Sequence, residues 1–219
     1  MLQGLFFLSF FAIGLVCVRL WRLSAVHRVP GCGWWAGGCA GIALATLLAG
    51  ASPWVGEWAR TMAAHVASIG GFCALWLGTR RFVGGSPARI APFLFMAFLA
   101  FLAGVFFWLA RIAPSYPMRL TINCVSLLLF SGGIARILFT ARMGSGLVTT
   151  AGVLYMIFSL INTLRTVNII LTPAPGSFFL SNAASRNLTV AMVPVILAAL
   201  VSLEFLARAA LANETKDDS

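Results

Sequence analysis

Leu75-Trp76-Leu77-Gly78-Thr79-Arg80-Arg81-Phe82-Val83-Gly84-Gly85 is an apolar, small-residue run that ends in paired arginines and an aromatic ring, then breaks on two glycines. That is how a helix leaves a hydrocarbon core: the apolar part stays in lipid and the guanidinium groups reach water. The surrounding chain has the matching composition. It is 61% hydrophobic and 9% charged over 219 residues, where ordinary soluble domains carry about 25% charged residues. Its mean hydropathy is +0.98. Several runs of about 16 to 21 residues are almost free of charge, long enough to cross a core of roughly 30 Å. Without water there, each run must satisfy its backbone internally, as a helix or in a closed barrel. The runs are continuous and not alternating, so the expected fold is all-α: a polytopic membrane bundle of about seven transmembrane helices.

Working outward, the spacing predicts helices over about 2–20, 34–51, 62–77, 92–109, 120–140, 147–170 and 188–206. The third is the weakest, being short and holding His65; if it does not cross, six spans remain. No basic residue precedes the first helix, and Arg19, Arg22 and Arg28 follow it. That order favours an external N-terminus and an uncleaved anchor over a cleaved signal peptide. Seven crossings from there put Arg19, Arg22, Arg28, Arg80, Arg81, Arg89, Arg136, Arg142, Arg208 and Lys216 inside, ten basic residues in all. Arg60, Arg111, Arg119, Arg165 and Arg186, five in all, fall outside. The bias predicts a cytoplasmic C-terminus. Fourteen of the fifteen basic residues are Arg, beside abundant Ala and Gly, a pattern of GC-rich bacterial genomes. The expected location is a bacterial inner membrane. The expected division is a transmembrane domain over 1–210 and a polar cytoplasmic tail over 211–219.

The net charge of +10 does not point to nucleic acid. The basic residues are scattered at the ends of apolar runs, as membrane orientation signals are. Gly33, Gly37, Gly41, Ala45 and Ala49 recur every four residues in the second helix. Ala63, Ala67 and Gly71, with Gly70, Ala74 and Gly78, do so in the third. These stripes predict a tight hairpin of the two helices.

Chemistry-bearing residues are few. The five cysteines are odd in number, lack a CxxC pair and read as apolar filler. His27, in an inner loop, and His65, in the first turn of the third helix, lie on opposite faces and cannot share a metal. Neither a metal nor a cofactor is expected. Among the acids only Glu204 lies in a membrane run, and Arg208 four residues on allows an intrahelical ion pair near the inner interface. No catalytic constellation is visible, so the chain is not expected to be an enzyme. The most polar intramembrane stripe is Ser159, Asn162, Arg165 and Thr166 in the sixth helix. At roughly 27 Å from the helix start, Arg165 either snorkels to the outer interface or floors an outward-facing pocket for an anionic or carbonyl-bearing signal. Phe178 and Phe179, in the long outer loop, would be the lid. Pro194 interrupts the seventh helix, as a tolerated membrane proline or as a hinge leading to the cytoplasm.

Gly33-Trp34-Trp35, Leu75 to Gly78 with Arg80-Arg81-Phe82, Asn162 to Arg165, and the last helix with Asn213-Glu214 carry a resemblance. Over nearly the whole chain it resembles the multi-helix membrane sensor region that precedes GGDEF domains in proteobacterial diguanylate cyclases. The resemblance implies a final helix running into a linker and a cytoplasmic output domain. The chain departs from the pattern at Asp217-Asp218-Ser219, where the linker would begin, and carries no GGDEF loop. The reading is a non-enzymatic signal-sensing or regulatory module of the cyclic-di-GMP type. In it a shift of the last helix about Pro194, toward Glu204 and Arg208, would change the geometry of a homodimer or of a docked partner protein. The alternative is a small permease or an accessory subunit of a membrane complex. A permease should show an inverted repeat or broken helices, and no convincing repeat is seen.

Overall fold

A computed structural model describes residues 2–50, 57–84, 91–112, 115–141, 146–171 and 183–217. These form α1 (Leu2–His27), α2 (Cys32–Gly50), α3 (Glu57–Phe82), α4 (Ala91–Arg111), α5 (Tyr116–Thr140), α6 (Gly146–Leu171) and α7 (Ala183–Asp217). No strand occurs among the described residues. All seven helices hold a stretch long and apolar enough to cross a membrane, and the chain is a multi-pass membrane protein by that measure.

The helices outrun their apolar cores. α1 continues through Arg22 to His27, so His27 sits in its last turn and not in a loop. α3 starts at Glu57 and ends at Phe82, so Arg80 and Arg81 belong to the helix itself. α7 runs on through the polar residues to Asp217. Charge marks where lipid ends, but a helix whose backbone is already paired continues into water.

Consecutive helices run antiparallel. One side of the bundle holds the start of α1 and the end of α6; the other, the arginine side, holds the ends of α1, α3, α5 and α7. The third span has the lowest hydropathy of the seven, 1.3, yet it is the most buried at 67%. α4, at 2.4, is the least buried at 17%, and Phe93, Met96, Phe101 and Phe107 face outward from it. The two facts share a cause. α3 is central, packing on α2, α4 and α5, and needs little lipid affinity; α4 is peripheral and needs much.

α2 and α3 meet through backbone. A Cβ at Gly41 would lie 2.9 Å from the Ala67 carbonyl oxygen, and one at Gly71 would lie 2.8 Å from that of Gly38. Gly78 leaves room for the Trp35 ring. The expected α2 stripe is corrected at two positions. Gly37 is exposed with open space around it, and a Cβ at Gly33 would lie 3.1 Å from Ser24 Oγ of α1. The seam instead follows Gly38, Gly41 and Ile42, because α2 sits between α1 and α3 and divides its small residues between them. Beside the seam Trp35 Nε1 donates to Thr79 Oγ1 at 3.1 Å, and Thr79 Oγ1 donates to the Leu75 carbonyl at 2.9 Å. Arg80 lies 5.8 Å from the Trp76 ring. Gly84, at φ +92, ends the turn after α3, a conformation that suits glycine. The opening stretch is thus a packing seam as well as a helix exit.

Candidate functional site

Polar atoms are scarce inside this bundle, so their placement is informative. In the half that holds the start of α1, the helices border an open cavity of about 140 Å³. Six helices supply its wall: Phe6 from α1, Ile42 and Ala45 from α2, Ala64 and His65 from α3, Asn123 from α5, Phe158 and Arg165 from α6, and Met192 and Val193 from α7. Most of these are apolar. The stacked rings of Phe72 and Phe158, 4.9 Å apart, form one side.

Arg165 is the one guanidinium or ammonium in the wall among the described residues. It is 5% exposed and turned into the bundle, so it does not snorkel to the interface. Its Nη1 lies 3.7 Å from Met192 Sδ, a weak acceptor. Its Nε, also buried, has no hydrogen-bond partner. Neither ion pair among the described residues involves it; both belong to Glu204. A buried charge without a counter-ion is normally destabilising by several kcal/mol, and a structural arginine would be paired.

The wall also holds a small polar group. Ser68 Oγ donates to Asn123 Oδ1 at 2.9 Å, and the Asn123 side chain also reaches the His65 ring. His65 is not in the first turn of its helix. It lies two turns into α3, is 2% exposed and stacks on Phe106 at 5.1 Å, because α3 begins earlier than its apolar run.

Of the stripe Ser159, Asn162, Arg165 and Thr166, only Arg165 lines the cavity. Ser159 is buried and donates to the Leu128 carbonyl of α5 at 3.3 Å. Asn162 is fully buried; its Nδ2 donates to the Phe158 carbonyl at 2.9 Å while Oδ1 has no partner. Thr166 donates to the Asn162 carbonyl at 2.9 Å. Spacing along a helix put these residues on one face, but that face spans two neighbours. Ser159 meets α5 and Arg165 meets the cavity. Phe178 and Phe179 lie outside the described residues. Ser68, Asn123 and Met192 were missed by reading one helix at a time; the signal that could have found Asn123 is an amide within an apolar run.

Pro194 lies inside α7, directly after Met192 and Val193. It cannot donate to the Val190 carbonyl, so the helix lacks one backbone bond where it borders the cavity. Farther along, Arg208 Nη2 and Nε donate to Glu204 Oε1 at 2.7 and 3.0 Å. Arg19 of α1 adds a contact of 3.5 Å, which sequence spacing could not reveal. Glu204 itself is 4% exposed. The five cysteines are free thiols, and no three of His, Cys, Asp and Glu converge as a metal site among the described residues. No family model, curated protein or solved structure matches the chain.

Proposed function

We propose that the chain is a non-enzymatic signal-sensing or regulatory module of a bacterial inner membrane. Its N-terminus faces outward, its C-terminus is cytoplasmic, and its role is that of the sensor regions preceding GGDEF domains. The observation that carries this reading is the buried, unpaired Arg165 in a cavity whose α7 wall, Met192 and Val193, abuts Pro194. An anionic or carbonyl-bearing signal would satisfy the guanidinium and press on the segment of α7 that lacks a backbone bond. Only a difference in affinity between two arrangements of α7 can turn occupancy into a shift. The shift would reach the cytoplasm along α7, where Glu204 ties it to Arg19 of α1.

The test is amide hydrogen exchange of the full chain in lipid nanodiscs. A bound anion is expected to slow exchange at residues 190–198, and Arg165→Gln to abolish the change. Saturating anion with unchanged α7 exchange would overturn the sensor reading. A reporter fused after Ser219 should be active in the cytoplasm; periplasmic activity would overturn the orientation.

A further inference from the structure

From the size and lining of the Arg165 cavity we infer that its occupant is a small apolar monocarboxylate of about the size of benzoate. The inference rests on reading this cavity as the signal site and names the chemical class the site would take.

Charge sets the first limit. One guanidinium lines the cavity, and no carboxylate among the described residues neutralises it. One negative charge balances it. A dianion would bring a second, uncompensated charge into a mostly apolar space, which is strongly unfavourable. A neutral ligand would leave the cation as it is.

Shape sets the second. Arg165 has a free Nε–H and an Nη1–H held only by the Met192 sulfur. A carboxylate oxygen can accept a charge-assisted bond from the free Nε–H, and displacing a thioether contact loses little. A chloride ion would fill only part of 140 Å³ and leave the apolar wall bare.

Volume sets the third. A cavity of about 150 Å³ is known to accept a benzene ring, so this space of about 140 Å³ holds one ring. Phe72 and Phe158, stacked 4.9 Å apart, both line the cavity and give an occupant ring aromatic contact. Ser68 and Asn123 are already bonded to one another, so an occupant needs no polar group at that end.

The experiment is calorimetric titration of the purified full chain in detergent with sodium benzoate, benzyl alcohol, sodium phthalate and sodium chloride. Benzoate is expected to saturate one site. Benzyl alcohol and phthalate should bind at least about tenfold more weakly, the loss of a charged hydrogen bond in one case and an added buried charge in the other. Arg165→Gln should lose benzoate binding by a similar factor, and Ala64→Leu, which fills the cavity while keeping the charge, should lose it as well. A circular dichroism melt establishes that each variant is folded. Benzyl alcohol binding as well as benzoate would overturn the inference, as would chloride competing at equal concentration or benzoate binding unaffected by Ala64→Leu. If benzoate binds but α7 exchange is unchanged, the ligand class stands and the sensor reading fails. If another anion alters α7 and benzoate does not bind, the reverse holds.

Discussion

Among the described residues, each half of the bundle holds one deeply buried carboxylate or guanidinium, Glu204 in one and Arg165 in the other, and they are treated in opposite ways. On the arginine side Glu204 is 4% exposed and accepts from Arg208 while touching Arg19. In the other half Arg165 is 5% exposed and has a methionine sulfur for company. The first charge is sealed between helices; the second borders empty space. Backbone packing follows the same division: the Gly31–Gly78 contact and the Trp35–Thr79 bond lie toward the arginine side, and the cavity lies at the far ends of the same helices. The difference separates a charge that holds the fold from a charge that waits for something.

The comparison can be broken most forcefully at the seam. Gly41→Leu drives a side chain into the Ala67 carbonyl and is expected to destabilise by about 3 kcal/mol or more, as severe overpacking does, with loss of folded yield in detergent. Gly37→Leu, on the same helix but facing open space, should fold normally; equal damage from both would mean that the seam is misplaced. Next comes Glu204→Ala. Its arginine partners are half-exposed, 50% and 55% for their side chains, so water can take them back. The expected loss is about 1–2 kcal/mol, read from thermal unfolding, and it should shrink in the background of Arg19→Gln. Arg165→Gln is the converse. Removing a charge with no counter-ion should leave stability within about 1 kcal/mol, or raise it, since an unpaired buried ion is itself unfavourable. A loss as large as that of Glu204→Ala would show that Arg165 holds the fold and would dissolve the contrast. The smallest effect is expected from Pro194→Ala, a gain of a few tenths of a kcal/mol as the helix recovers a bond, with a weaker α7 response to ligand in hydrogen exchange.

Much of the architecture was legible in one dimension. Apolar run length alone separates the seven helices, because lipid imposes a span and forbids unpaired backbone. Glu204 and Arg208 could be paired from spacing, since four residues make one helical turn. Their third member, Arg19, lies 185 positions away and could not. The glycine stripe gave the right pair of helices and a partly wrong face. A repeat every four residues drifts around the helix, and which members meet α3 depends on where α1 already sits. Helix ends were set too early at Leu20, Leu77 and Leu206, because charge marks the edge of lipid and not the end of backbone pairing.

The chain's composition and run lengths by themselves determined that this is a helical membrane protein, which helices exist, and that the arginines gather at one set of helix ends. Those are consequences of the solvent, which acts on every residue independently of its partners. Only the tertiary structure decided that Arg165 turns inward and unpaired while Ser159 faces α5, that His65 is buried, and that six helices leave a cavity between them. Those depend on which surfaces meet, and packing is a property of pairs of helices that no single helix carries.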